Sequence, residues 1–183
     1  MRRFARVAAT AWLCVALGVG CGYRVVGYQG AAEDPVRVSI RTLANDTLEP
    51  GLELIVGEAM RRAFLRAGRI RLVEDPAAAD YALSGRVVGV RTVGQSFTAN
   101  VRALEFTVTM RLRLDVAARE GSAPRLDAFG LAETEVYLAS ADIEISRKNR
   151  DEALRRLAKL LADRVYDQLE LVTSRAKREA PDS

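Results

Sequence analysis

Few side chains in this sequence could carry out chemistry, and their types exclude most enzymatic sites. The 183 residues include no histidine, the side chain most often used for proton transfer near neutral pH and the commonest metal ligand. Both cysteines, Cys14 and Cys21, lie near the N-terminus, and no residue after Cys21 is a cysteine. Ser-His and Cys-His nucleophiles and zinc sites with nitrogen and sulfur ligands are therefore excluded. We predict a protein that is not an enzyme and uses no metal or cofactor.

Two pairs of carboxylates remain as candidates for chemistry. Glu133 and Glu135 are two residues apart, as are Asp142 and Glu144, so each pair could share one face of a strand. Such a pair could bind calcium or act as acid and base. Neither pair has the ligand density of a calcium-binding loop, so we interpret both as part of a solvated strand face.

A group of arginines offers a different kind of site. They belong to neighbouring predicted strands or to the loop between them: Arg91, Arg102, Arg111 and Arg113. The guanidinium fork matches phosphate geometry, so the group could bind a phosphorylated glycolipid. Alternatively, the arginines keep an exposed sheet face soluble, helped by cross-strand pairs with Glu105 and Asp115. Spacing alone favours the second interpretation, and both stay open.

The N-terminal segment has the pattern of an export signal. Met1 to Arg6 is basic, and the uncharged stretch from Val7 to Val19 is too short to span a membrane. A buried first helix is the alternative. The stretch 17–21, Leu-Gly-Val-Gly-Cys, resembles the lipobox of bacterial lipoproteins, although Gly18 replaces the usual leucine. That resemblance implies cleavage before Cys21 and acylation of its sulfur, with palmitate among the chains, and Gly22 then favours sorting to the outer membrane.

Removal of the signal peptide also changes the charge of the chain. The formal net charge is +4, and three of the arginines lie in the segment 1–20, which leaves about +1 for the mature protein. Charges of both signs are mixed along that mature chain. Nucleic-acid binding would need a clustered basic excess, so we do not expect it.

The elements that would position the arginines follow from hydrophobic periodicity. Residues 104–116 alternate apolar and polar side chains without an error, as in a long antiparallel strand with one wet face. Strands are also predicted at 36–41, 70–73, 81–93 and 126–138, with Gly85 and Gly89 marking a bulge or a close backbone approach. Helical spacing predicts one helix over 52–67 and a second of about 24 residues, or ~36 Å, that begins with a capping box at Asn149 and Glu152.

These elements predict an α+β fold: a two-layer sandwich in which two amphipathic helices pack on one face of a mixed, mainly antiparallel sheet of four to five strands. The expected organisation is a signal peptide at 1–20, a lipidated N-terminus and tether at 21–35, a single α/β domain at 36–173, and a disordered tail at 174–183.

Several stretches resemble lipopolysaccharide-assembly lipoproteins of the LptE family. The start of the mature chain, 21–27 (Cys-Gly-Tyr-Arg-Val-Val-Gly), is similar to the family's N-terminus. Residues 44–53, Ala-Asn-Asp-Thr-Leu-Glu-Pro-Gly-Leu-Glu, resemble its signature before the first helix. Further similar stretches are 71–76 with Ala79-Asp80, the strand at 85–87, and 149–154 before the final helix. The resemblance extends over nearly all of residues 21–172.

The resemblance implies a two-helix, sheet-backed domain tethered to the inner leaflet of the outer membrane. There the protein would plug the β-barrel translocon LptD, assist its assembly and help deliver lipopolysaccharide to the outer leaflet. The alternative is a periplasmic adaptor or regulatory lipoprotein, for example an activator of peptidoglycan synthesis. Such proteins usually have a long tether, whereas about fourteen residues between Cys21 and Val36 span only ~50 Å when fully extended. The short tether favours a partner at the membrane.

Overall fold

Residues 35–97, 103–119 and 129–179 are described by a computed structural model, with the backbone alone at 96–97, 103–104 and 176–179. Within those ranges the chain forms six strands, two helices and one 3₁₀ turn. In chain order these are β1 Val36–Ile40, β2 Ala44–Asn45, α1 Leu52–Ala67, β3 Ile70–Leu72, the turn Pro76–Ala78, β4 Tyr81–Phe97, β5 Ala103–Ala118, β6 Phe129–Leu138 and α2 Ile143–Glu179.

The strands form one mixed sheet. Its order is β3-β1-β4-β5-β6, and β2 pairs with β4 beyond the end of β1. The three pairs that involve β1 or β2 are parallel, whereas β4–β5 and β5–β6 are long antiparallel pairs. Both helices pack on one face of this sheet, so the predicted fold class is confirmed.

The core lies between the helices and the inner face of the sheet. Alternate residues of β5, from Val108 through Met110 and Leu112 to Leu114, are at most 1% exposed, while their neighbours point outward. Phe64 of α1 meets Tyr166 of α2 edge-on, with ring centroids 5.4 Å apart. Because the described helices cover only one face of β4–β6, the polar positions of these strands form an outer face that no other described element covers.

A hydrogen-bonded turn positions the start of α1. The Asn45 side chain donates to the Glu49 carbonyl oxygen (2.8 Å) and to the Glu53 carboxylate (2.7 Å), and its Oδ1 accepts from the Thr47 amide (3.0 Å). The helix then begins after Gly51, whose φ of 83° favours glycine, and it ends at Gly68 with φ 73°. The predicted bounds of this helix are confirmed.

Helix α2 is longer than the sequence predicts. It begins at Ile143 because Asp142 Oδ1 accepts hydrogen bonds from the Glu144 and Ile145 amides, at 2.8 and 3.4 Å. Asn149 is therefore not the cap: it lies inside the helix and donates to the Leu138 carbonyl oxygen at 2.9 Å. The helix continues to Glu179, so residues 174–179 are helical rather than part of a disordered tail. Its 37 residues correspond to about 55 Å.

The two glycines of β4 have different roles. The pairing of β4 with β5 is irregular between Val87 and Gly89, where a bulge shifts the register by one residue. Gly85 instead lies against the backbone of β5, and a Cβ there would be 2.5 Å from the Arg113 carbonyl oxygen. The sequence prediction of a bulge and a close approach is confirmed.

Candidate functional site

The outer face of the sheet carries most of the predicted arginine group. Arg91 of β4 and Arg111 and Arg113 of β5 are all exposed there. Arg102, predicted as a fourth member, and Cys21, the predicted lipidation site, lie outside the described residues. The structure therefore places three of the four arginines on one surface.

The strand register brings these three side chains together. Arg111 and Arg113 are two residues apart on β5 and so point to the same side of the sheet. Arg91 lies opposite Thr109, one step further along the same face. Arg111 is opposite Gly89 on β4 and Ala132 on β6, so small neighbours leave its guanidinium accessible.

Arg86 joins the group and was missed by sequence reasoning. It lies directly opposite Arg113, in the part of β4 before the bulge. The bulge shifts the alternation of β4, so Arg86 and Arg91 share the outer face although they are five residues apart. The sequence indicates only that Arg86 lies in a strand, next to Gly85. Its position opposite Arg113 follows from the strand register.

Three of the four arginines form no ion pair with a described side chain. Arg86 pairs with Asp46 at 3.2 Å, whereas Arg91, Arg111 and Arg113 form no ion pair with any residue that the structure describes. The predicted cross-strand pairs with acidic residues are wrong. The register places Glu105 opposite Ser96 and Leu138, and Asp115 opposite Ser84, so neither faces an arginine. Three exposed guanidinium groups that form no ion pair with a described side chain attract anions to this surface.

We name this surface the sheet-face arginine cluster and define it as Arg86, Arg91, Arg111 and Arg113. Two threonines border it, since Thr109 lies between Arg91 and Thr134 across the strands, with the two hydroxyl oxygens 2.9 Å apart. Guanidinium and hydroxyl groups together donate hydrogen bonds in the directions that phosphate and sugar oxygens accept. The surface can bind an anionic, oxygen-rich ligand without reacting with it.

The carboxylate pairs do not form a catalytic or calcium site. Glu133 and Glu135 face α2 rather than solvent, and each pairs with an arginine of that helix: Arg164 at 2.9 Å and Arg156 at 3.4 Å. The prediction of a solvated strand face is therefore wrong for this pair. These ion pairs connect the edge strand to the helix layer.

The second carboxylate pair lies on a helix and not on a strand. Asp142 caps α2, and Glu144 pairs with Arg147 at 3.4 Å within the first turn of that helix. Within the described ranges, no three side chains of the metal-ligating types cluster closely enough to hold an ion. Nor is any described helix long and apolar enough to cross a bilayer.

Comparison with known proteins gives one family. The model of the family LptE, described as lipopolysaccharide-assembly, matches residues 36–169, which is most of the chain. No curated protein matches the sequence significantly.

Solved structures share the architecture. A rare lipoprotein B from Shewanella oneidensis has 13% identity and a TM-score of 0.52, over 73% of this chain and 92% of that one. An uncharacterized lipoprotein B from Nitrosomonas europaea has 14% identity and a TM-score of 0.51, over 82% and 92%. A hypothetical protein from Chlamydia trachomatis has 10% identity and a TM-score of 0.50, over 72% and 96%. At these identities the likeness concerns the fold alone.

Proposed function

The chain belongs to the LptE family of lipopolysaccharide-assembly proteins, and on that premise we propose that it plugs the β-barrel translocon LptD, assists its assembly and helps deliver lipopolysaccharide to the outer leaflet. The observation that carries the proposal is the family match over residues 36–169. The matched stretch contains all six strands, the whole of α1, and α2 as far as Leu169.

The sheet-face arginine cluster supports the lipopolysaccharide part of the proposal. Lipopolysaccharide is a glycolipid with phosphate groups, and arginine binds phosphate through paired, charge-assisted hydrogen bonds. Arg91, Arg111 and Arg113 form no ion pair with a described side chain, so a phosphate would not have to break one. We propose that this cluster contacts the phosphorylated part of the glycolipid, together with Arg102.

The chemistry of the described side chains supports a function without catalysis. The carboxylates that might have acted as acid and base, Glu133 and Glu135, are each held by an arginine. The chain has no histidine with which to build a proton relay. We propose that the protein acts by binding and by shape, with no reaction of its own.

We further propose that the mature protein begins at Cys21 and is held by acyl chains on the periplasmic side of the outer membrane. The export pattern at 1–20 and the small residues around Cys21 support this proposal. A single acyl chain binds membranes only marginally, so a stable anchor needs more than one. Mass spectrometry of the mature N-terminus tests it, and an unmodified sulfur on Cys21 would contradict the anchor.

The partner is tested by affinity purification of the full-length protein from outer membranes. We expect LptD to co-purify in a near-equimolar amount, and Cys21→Ala, in which acylation is removed, to reduce the recovered complex. A stably monomeric lipoprotein without a barrel partner would contradict the proposal. Recovery of a peptidoglycan synthase instead of LptD would support the alternative of a regulatory lipoprotein.

A further inference from the structure

A second basic site lies on the opposite side of the molecule, in the groove between the two helices. The groove has a volume of about 230 Å³, and Ile55 and Ala59 of α1 lie along it. Its other lining residues are four cations, two from each helix: Arg62, Arg66, Arg155 and Lys159. We name these four residues the groove cations. They share no residue with the sheet-face arginine cluster.

The groove cations are neighbours in pairs on the helices that carry them. Arg62 and Arg66 are four residues apart on α1, and Arg155 and Lys159 are four residues apart on α2. Side chains at this spacing are neighbours on a helix surface, and like charges there repel each other. The packing of α1 against α2 then brings the two repelling pairs to one groove.

Acidic side chains flank both pairs at helical spacing: Glu58 lies four residues before Arg62, Asp151 four residues before Arg155, and Asp163 four residues after Lys159. Arg62 pairs with Glu58 at 3.3 Å, and Arg66 pairs with Asp163 at 3.2 Å across the helix interface. Neither Arg155 nor Lys159 forms a hydrogen bond or ion pair with another described residue. The helix dipole accounts for a cation in the last turn of α1, such as Arg66, but not for two cations in the interior of α2.

We propose that the groove cations form a binding site for a phosphate group. A carboxylate is satisfied by one guanidinium fork, whereas a phosphate presents three or four oxygens and more negative charge, which suits several converging cations. The partly apolar lining by Ile55 and Ala59 can accommodate the glycerol or alkyl part of a phosphate ester. The phosphate arises from a free phosphate compound or from a phospholipid headgroup. This inference goes beyond the proposed function and does not depend on it.

The test uses the full-length protein at low ionic strength, in a nonionic detergent for calorimetry and free of detergent for vesicle binding. Inorganic pyrophosphate is titrated and followed by calorimetry, and in a second arm the protein binds vesicles of phosphatidylcholine with or without phosphatidylglycerol. We expect saturable binding in at least one arm. Binding of pyrophosphate alone identifies a free phosphate compound as the ligand, and binding of phosphatidylglycerol vesicles alone identifies a headgroup.

The matched variants change charge equally at two places. Arg155→Gln with Lys159→Gln should weaken phosphate binding at least tenfold, whereas Arg61→Gln with Lys148→Gln, on the same helices but outside the groove lining, should change it less than twofold. Because Arg155 and Lys159 form no ion pair with a described residue, we expect the melting temperature of the groove variant to stay close to that of the unmodified protein. Absence of saturable binding in both arms, or equal weakening by both double variants, would overturn the proposal.

Discussion

The Arg150 guanidinium of α2 binds both carboxylate oxygens of Glu49, the residue that lies two positions before the Gly51 cap of α1. Nη1 donates to Oε2 at 3.0 Å, and Nη2 donates to Oε1. This hydrogen bonding, opposed by partial burial, holds the pKa of Glu49 below its usual range. The pair joins the turn before α1 to the N-terminal part of α2, although four of the six strands lie between the two helices in sequence.

Removing the Glu49 charge should therefore destabilise the domain. We expect Glu49→Gln to lower the free energy of unfolding by about 1–2 kcal/mol, since a bidentate charged pair is lost but its partial exposure limits its strength. Urea unfolding followed by circular dichroism measures the change. A double-mutant cycle with Arg150→Gln isolates the interaction between the two side chains.

The exposed pair of Glu144 and Arg147 provides the control for that cycle. These side chains are 69% and 65% exposed, so we expect their coupling energy to be below about 0.5 kcal/mol. Equal coupling energies in the two cycles would contradict the structural role assigned to Glu49 and Arg150.

Acid stability should depend on Asp80, which connects β1 to the turn before β4. Its carboxylate accepts from the Arg37 backbone amide at 2.8 Å and from Arg37 Nη2 at 2.7 Å. Hydrogen bonding to the Arg37 side chain lowers the pKa of Asp80 by more than burial raises it. A carboxyl group with a lowered folded-state pKa stabilises the fold above its unfolded pKa, and that stabilisation is lost as the pH falls through the folded value.

Asp80→Asn should consequently flatten the acid limb of the stability profile. We expect the variant to be about 1 kcal/mol less stable than the unmodified protein at pH 7, and the two to converge below about pH 3. Urea unfolding at intervals between pH 2.5 and 7 measures this. Asp115→Asn, at an exposed site without an ion pair among the described residues, serves as the control. A constant difference between the Asp80→Asn variant and the unmodified protein at all pH values would contradict the prediction.

The two glycines of β4 should respond very differently to the same added methyl group. At Gly85 a Cβ would lie 2.5 Å from the Arg113 carbonyl oxygen and 2.6 Å from Leu114 Cδ2, whereas at Gly89 nothing lies within 4 Å. We expect Gly85→Ala to cost about 2–3 kcal/mol because the strand backbones must move apart. Gly89→Ala is the matched control, with a change within about 0.5 kcal/mol. Similar unfolding midpoints for the two variants would contradict the close approach.

The sequence predicted the fold well where one residue pattern dominates. The alternation of β5 and the apolar stripe of α1 each define a buried face without reference to the rest of the chain, and both are confirmed. The start of α2 was predicted wrongly because two capping residues compete, Asp142 and Asn149. Asp142 caps the helix, and Asn149 instead donates a hydrogen bond to the end of β6.

The candidate site was predicted less completely, since strand register is not a local property. Arg91, Arg111 and Arg113 were found because they lie on predicted strands. The pairing of Arg86 with Arg113 depends on the bulge at Gly89, which no periodicity in the sequence locates to one residue. The predicted cross-strand pairs of the arginines with Glu105 and Asp115 were wrong for the same reason, because they too depend on the strand register.

The sheet-face arginine cluster should determine affinity for phosphorylated glycolipid. Arg111 and Arg113 are exposed, lie on the same face of β5 and have no ion pair among the described side chains, so replacing them removes charge without breaking a contact that supports the fold. We expect Arg111→Gln with Arg113→Gln to weaken lipopolysaccharide binding by the full-length protein about tenfold, which corresponds to ~1.4 kcal/mol. The unfolding midpoint should change little.

A titration with purified lipopolysaccharide at two salt concentrations measures this effect. Binding by the unmodified protein should weaken at higher ionic strength, and the double variant should show a smaller dependence, because fewer exposed charges remain to be screened. Arg61→Gln with Lys148→Gln, on the helices and outside both basic surfaces, removes the same charge and serves as the control. If that variant weakens lipopolysaccharide binding as much as the sheet-face variant does, the glycolipid is attracted by net charge and the outer face of the sheet is not its binding surface.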